Sequence, residues 1–168
     1  MQAFETVITR SHGRVGLVQF NRPKAYNAFN PQMINETMDA LAAFDADDDI
    51  GAMVVPGNDK AFAAGADIKF MVDSTPIEMM KNDFVNTFDR IFDIHKPVIA
   101  AVSGWCVGGG NEFIMSCDMV VASETARFGQ PEITLGVIPG AGGTQRLTRL
   151  VGKPIAMEMI LNNRHLSA

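Results

Sequence analysis

Cysteine, histidine, tryptophan and tyrosine are all scarce in this chain. Its 168 residues include two Cys, three His, one Trp and one Tyr. Cys106 and Cys117 lie inside apolar segments, which argues against a disulfide framework and fits reduced core thiols in a cytoplasmic setting. No C-x-x-C pair occurs and His12, His95 and His165 are scattered, so no metal site is expected. Positive charge is short too. The net charge of −5 argues against a general nucleic-acid or anionic-membrane surface, although a local basic spot remains compatible with a phosphate. No apolar run reaches membrane-span length without a charge or a glycine. The N-terminal MQAFETVITR lacks an apolar h-region and is not rich in Arg and Ser, so no targeting segment is expected.

Nucleotide-binding glycine loops are missing as well. G-x-G-x-x-G needs a third glycine where Phe113 follows Gly108 and Gly110, and where Gln145 follows Gly140 and Gly142. Gly152-Lys153 runs into Pro154, so there is no P-loop. Low-complexity segments and clear internal repeats are also absent.

What is present is a 47% hydrophobic chain with strands and helices alternating, enough for an α/β layered fold around a real core. Phe4–Thr9 and Val15–Phe20 read as a hairpin split by Ser11-His12-Gly13. Asn30-Pro31 opens a helix to about Asp45, with Met33, Ile34, Met38, Leu41 and Ala42 on its apolar side. Ala52–Val55 is a short strand. Residues 61–67, built of small side chains, read as a tight loop whose backbone something approaches. Thr75-Pro76-Ile77-Glu78 is a capping box for a helix with Phe84, Phe88, Ile91 and Phe92 on one face. A strand at 97–102, buried on both sides, leads through a glycine turn into a helix to about Ser116, and Met119–Ala122 is a further strand. One helix follows residues 139–144; another runs from Lys153-Pro154 to about Asn162.

Two glutamates stand out. Glu112 lies in the first turn after Gly108-Gly109-Gly110, ahead of Phe113-Ile114-Met115. Glu132 lies in Phe128-Gly129-Gln130-Pro131-Glu132-Ile133. Burying a carboxylate among such residues costs several kcal/mol. A pair of them beside exposed backbone N–H groups suits acid/base chemistry next to a developing negative oxygen. Simpler roles stay open: Glu112 as a helix-dipole partner, Glu132 as a loop carboxylate bonded to amides, the glycines as packing positions. Asp67 is also a candidate cap for a short helix holding Ile68 and Phe70, and Arg22, Lys24 and Lys69 are solvated charges or phosphate partners.

Four segments carry a resemblance: NRPKAYNAFN (21–30), KAFAAGADIKFM (60–71), KPVIAAVSGWCVGGGNEFIMSCD (96–118) and ARFGQPEITLGVIPGAGGTQRLTRLVG (126–152). In these the chain resembles the enoyl-CoA hydratase (crotonase) family. The resemblance implies a spiral of repeated ββα units and addition of water across the 2,3 double bond of a 2-enoyl-CoA, giving a 3-hydroxyacyl-CoA. It implies Glu112 and Glu132 as catalytic residues and the N–H groups of Ala66 and Gly109 as an oxyanion hole. Lys24, Ala25, Tyr26, Ala64, Asp67, Ile68 and Lys69 match the coenzyme A site, and Gly140 the backbone that helps hold the water. No metal or redox cofactor is implied, coenzyme A entering with the acyl-CoA substrate. An enoyl-CoA isomerase of the same fold is the alternative; such enzymes often keep only one of the two glutamates. A third reading is an inactive acyl-CoA-binding or scaffolding protein. Family chains usually continue past residue 168 with helices that cover the acyl pocket and build trimers or hexamers. Residues 1–168 are therefore expected to be one core domain truncated at its C-terminus, covering the apolar helix of Ile155, Met157, Met159 and Leu161 by association. Asn111 and Phe70 depart from the family, where Cys and an acidic residue are common.

Overall fold

From residue 52 to residue 129, successive strands of this chain are dealt alternately into two sheets. The computed structural model of the protein describes residues 4–72, 74–81 and 84–168. The hairpin β1 (Val7–His12) and β2 (Val15–Phe20) pairs antiparallel through His12 and Val15. Its turn is thus tighter than the sequence reading, because Gly13 takes φ 56° and lets Ser11 and His12 stay in the ladder. Helix α1 (Pro31–Asp45) starts as predicted, the Asn30 side chain accepting the Met33 N–H at 2.9 Å. Its buried stripe includes Met33, Ile34, Met38, Leu41 and Phe44; Ala42 falls off that stripe and is exposed.

Three ββα units follow. The first is β3 (Ala52–Pro56), β4 (Ala61–Ala63) and the short helices α2 (Ile68–Val72), α3 (Pro76–Lys81) and α4 (Phe84–Asp89). The second is β5 (Val98–Val102), β6 (Trp105–Val107) and α5 (Gly109–Ile114). The third is β7 (Met119–Ala122), β8 (Arg127–Gly129), a 3₁₀ turn at Pro131–Leu135 and α6 (Gly143–Leu161). β9 (Leu166–Ser167) closes the chain. One sheet runs β1-β2-β3-β5-β7 and the other β4-β6-β8-β9, with β3, β5 and β7 mutually parallel and β4, β6 and β8 likewise. This is the expected crotonase spiral.

Several expectations need correction. Residues 61–63 form a strand, not loop, and β6 and β8 escaped the sequence reading altogether. Each is only three residues long, too short to show a period. β5 alternates buried with half-buried positions instead of being covered evenly. The capping box forms, with Thr75 N–H on Glu78 at 2.7 Å and Glu78 N–H on Thr75 Oγ1 at 3.2 Å. Beyond it, helix is described at Pro76–Lys81 and Phe84–Asp89, and its end tightens to 3₁₀ at Arg90–Asp93. Phe88 and Ile91 are buried there, whereas Phe92 is exposed by the change of pitch; the side chain of Phe84 lies outside the described residues. The two expected C-terminal helices meet end to end in α6 across a break at Gly152, φ 76° and ψ 159°. Along its second half Ala156 and Met159 are buried while Ile155, Met157 and Leu161 are exposed. No helix among the described residues is long and apolar enough to cross a membrane.

Phe20 anchors the main core. Its ring meets Phe29, Phe62 and Phe113 edge-on at centroid distances of 5.3, 5.1 and 5.5 Å. Those three rings come from the loop before α1, from β4 and from α5, so the element that carries Glu112 and the strand that leads to Gly65 are fixed to one aromatic cluster.

Candidate active site

The chain leaves β4, β6 and β8 toward a single cavity of about 370 Å³. Ala64, Gly65 and Ala66 line it after β4, Gly108 and Gly109 after β6, and Pro131 and Glu132 after β8. This is the C-terminal edge of a parallel sheet, where loops converge and ligands are usually held. Glu112 joins from α5, Gly140 and Ala141 from the loop before α6, and Met71, Met79, Phe88 and Ile138 give an apolar wall.

Two amides face a shared gap. Phe29 donates to Gly65 O at 2.7 Å and accepts from Asp67 N–H at 2.8 Å. That alternation turns the Ala66 N–H to the opposite side. The Gly108 N–H is used by Gly129 O at 3.0 Å, whereas the Gly109 N–H stands in the first turn of α5, where helices leave amides unbonded. A Cβ placed on Gly109 would lie 3.6 Å from the Ala66 nitrogen, and one on Gly65 would lie 3.3 Å from the Gly109 nitrogen. Gly65, at φ 89°, is therefore required both by its conformation and by the close approach. Gly110 is the packing glycine: a Cβ there would overlap the Ala63 carbonyl.

Glu112 is 3% exposed, and its Oε1 accepts the N–H groups of Ala141 at 2.8 Å and Gly143 at 2.7 Å. Burial lifts its carboxyl above the ordinary range; the two amides and the nearby Arg146 cation pull the other way. Glu132 has fewer partners. Its Oε1 accepts Gln130 Nε2 at 2.9 Å, and its Oε2 is buried with no hydrogen-bond partner among the described residues. Burial raises its carboxyl first and the Glu112 charge adds to that, while its own amide and Gln130 oppose. Two carboxylates with differently weighted surroundings on one cavity can divide into a base and an acid.

Gln130 was not singled out from the sequence. It is 1% exposed, and its Oε1 accepts Asn111 Nδ2 at 2.7 Å, tying α5 to the Glu132 segment. Its one signal is its place two residues before Glu132, just ahead of the 3₁₀ turn. Asn111 thus has a structural partner, and Phe70 packs against the main core. Arg146 and the amides of Ala141 and Gly143 were missed too, being backbone and charge effects that residue types do not announce.

Among the other expected site residues, Ala64, Ile68 and Gly140 line the cavity, while Lys24, Ala25, Tyr26, Asp67 and Lys69 stand outside its lining. The turn Pro23–Ala25 ends at Tyr26, φ 50°, whose carbonyl accepts Ala64 N–H at 3.0 Å, so this segment flanks the β4 loop. Asp67 pairs with Arg22 at 2.8 Å and accepts the Lys69 N–H at 3.1 Å, capping α2. Arg22 is thereby committed to Asp67 and to the Ala28 carbonyl. Lys24 and Lys69 are exposed.

Comparison with known proteins agrees with this geometry. The enoyl-CoA hydratase/isomerase family model matches residues 10–168. A probable enoyl-CoA hydratase of Rhizobium meliloti is 53% identical over 99% of this chain and 65% of its own length. The mitochondrial enoyl-CoA hydratase of Pongo abelii is 51% identical over 98% of this chain and 58% of its own length. The crystal structure of enoyl-CoA hydratase subunit I from Geobacillus kaustophilus superposes with a TM-score of 0.94 at 43% identity, covering 98% of this chain and 64% of that one. The chain thus spans under two thirds of these relatives. A family model matching residues 10–168, with relatives of this identity, makes the chain a member of the enoyl-CoA hydratase/isomerase family.

Proposed function

We propose that this site hydrates a 2-enoyl-CoA to the 3-hydroxyacyl-CoA. The observation that carries the reading is that Glu112, Glu132, Ala66 and Gly109 line one cavity. The thioester oxygen sits between the Ala66 and Gly109 N–H groups. As water adds at C3, the electrons of the double bond move onto that oxygen, and each donor stabilises the enolate by about 3 kcal/mol. Glu112, whose two amide donors and nearby Arg146 favour the ionised form, takes the proton from water. Glu132, with a bare buried Oε2, holds a proton and delivers it to C2 as the enolate collapses. Passing the Glu112 proton back to Glu132 restores the starting state. Gly140 helps to seat the water. Lys24, Ala25, Tyr26, Ala64, Asp67, Ile68 and Lys69 receive coenzyme A, with Lys24 and Lys69 its exposed cations and Asp67 acting through loop shape. A cytoplasmic homo-oligomer, trimeric or hexameric, completes the reading.

Crotonyl-CoA tests it. Loss of the conjugated absorbance with a hydroxyl at C3 of the product supports hydration. A product with the double bond moved would favour the isomerase alternative. Tight binding without turnover would favour an acyl-CoA-binding protein.

A further inference from the structure

Arg146 takes the carbonyls of the loop whose amides hold Glu112. The backbone N–H of Arg146 donates to Gly142 O at 2.8 Å, and its guanidinium donates to Ala141 O. In a trans peptide the C=O and N–H point in opposite directions. That backbone bond aims the Gly143 N–H the other way, onto Glu112 Oε1 at 2.7 Å, whatever side chain stands at 146; the guanidinium adds a second hold, on the Ala141 carbonyl. Gly142 turns the chain at φ 97°, and a Cβ there would overlap the guanidinium, so the cation rests against the bend itself. The Phe92 ring lies 5.5 Å from the guanidinium carbon, which accounts for an aromatic side chain left exposed there.

The arrangement carries a cost. Arg146 Nε is buried with no hydrogen-bond partner among the described residues, and an unpaired polar atom of that kind is unfavourable. Two contacts with the bend and a charge placed near Glu112 offset it. Among the groups that the structure places around Glu112, the charged ones are Glu132 from the 3₁₀ turn and Arg146 from α6.

We propose that Arg146 is the positioning residue of Glu112, bracing the 141–143 bend so that two amides converge on one carboxylate oxygen. Its charge also favours the ionised carboxylate. Only the catalytic consequence rests on the hydratase reading; the effect on the bend and on Glu112 does not.

The test compares the unsubstituted protein with Arg146→Lys and Arg146→Gln by amide hydrogen exchange at Ala141 and Gly143 and by carbon-13 titration of the Glu112 carboxyl. Exchange at both amides is expected to rise about tenfold or more in both variants, since a bend without its brace opens more readily. The Glu112 midpoint is expected to move to higher pH in Arg146→Gln and to stay nearer its original position in Arg146→Lys, which keeps the charge without the planar fork. With crotonyl-CoA, kcat should fall more than KM changes, and the acid limb of kcat should follow the Glu112 midpoint. Unchanged exchange at both amides in a folded variant overturns the proposal. If Arg146→Gln does not fold, Arg146→Lys decides by the same exchange measurement, because it retains stem and charge. Unsubstituted protein that leaves crotonyl-CoA intact defeats the hydratase reading alone, and the exchange result still decides the role of Arg146.

Discussion

Gln130 Nε2 lies 2.9 Å from Glu132 Oε1, which leaves Oε2 as the oxygen free to exchange a proton with a ligand. Asn111 holds the other end of the Gln130 amide at 2.7 Å. Gln130→Met removes these two bonds and the longer one to the Gly108 carbonyl at 3.4 Å while keeping the volume. Turnover is expected to fall about 10–100-fold through misplacement of Glu132. Stability should drop by about 1–3 kcal/mol because Asn111 Nδ2 loses its buried acceptor. Gln130 holds the Glu132 carboxyl down, so its loss should move the alkaline limb of turnover to higher pH. Kinetics across pH and thermal melts of the variant check these; an unshifted limb with normal turnover would remove Gln130 from the site.

Adjacent glycines should separate function from folding. A Cβ on Gly109 meets only ordinary contacts, 3.5 Å from the Phe29 ring and 3.6 Å from the Ala66 nitrogen. Gly109→Ala is therefore expected to melt near the unsubstituted protein and yet lose most turnover, since the methyl fills the space of the thioester oxygen. Gly110→Ala must displace the Ala63 carbonyl, at a cost of about 1–3 kcal/mol. A fully active Gly109→Ala protein would place the oxyanion site elsewhere.

Asp67→Asn probes the frame of the Ala66 amide. Asn can keep the cap on Lys69 but loses the ion pair to Arg22, whose side chains are 15% and 21% exposed. A stability loss of about 1–3 kcal/mol is expected, with a fall in kcat as the Ala66 N–H loses its fixed position. Normal kcat together with a lowered melting temperature would confine the pair to a structural role.

Much of this site was legible in the sequence because its signals are local. A carboxylate next to a glycine run, an Asn-Pro helix start and a Thr-x-x-Glu box each depend on a few neighbouring residues. The spiral was not legible from pattern. β4, β6 and β8 are three residues each, and their parallel partners lie about 20 to 45 residues away along the chain. Only the family resemblance supplied it. Phe92 reads as core by spacing, yet it is exposed beneath Arg146, since periodicity cannot foresee a change to 3₁₀ pitch.

Glu132 gives a prediction about stability whose sign is fixed by burial. Its carboxyl is raised above the ordinary 4.5 mainly by burial and further by the Glu112 charge, so the folded chain holds this proton more tightly than the unfolded chain. The contribution to stability is complete below 4.5 and is lost as pH rises through the folded value. Glu132→Gln removes that loss. The variant should melt higher than the unsubstituted protein at neutral pH, and the difference should vanish below pH 4.5. A variant that melts lower at neutral pH would contradict the burial argument.

If Glu112 and Glu132 together move the protons of hydration, turnover of crotonyl-CoA collapses in both Glu112→Gln and Glu132→Gln. Gln keeps the shape and an oxygen for the Ala141, Gly143 and Gln130 donors, and loses only the proton chemistry. Each variant is predicted to bind crotonyl-CoA with little change and to lose about 10²–10⁴-fold in kcat relative to an active unsubstituted protein. Near-normal kcat in either folded variant would remove that glutamate from the proton transfers.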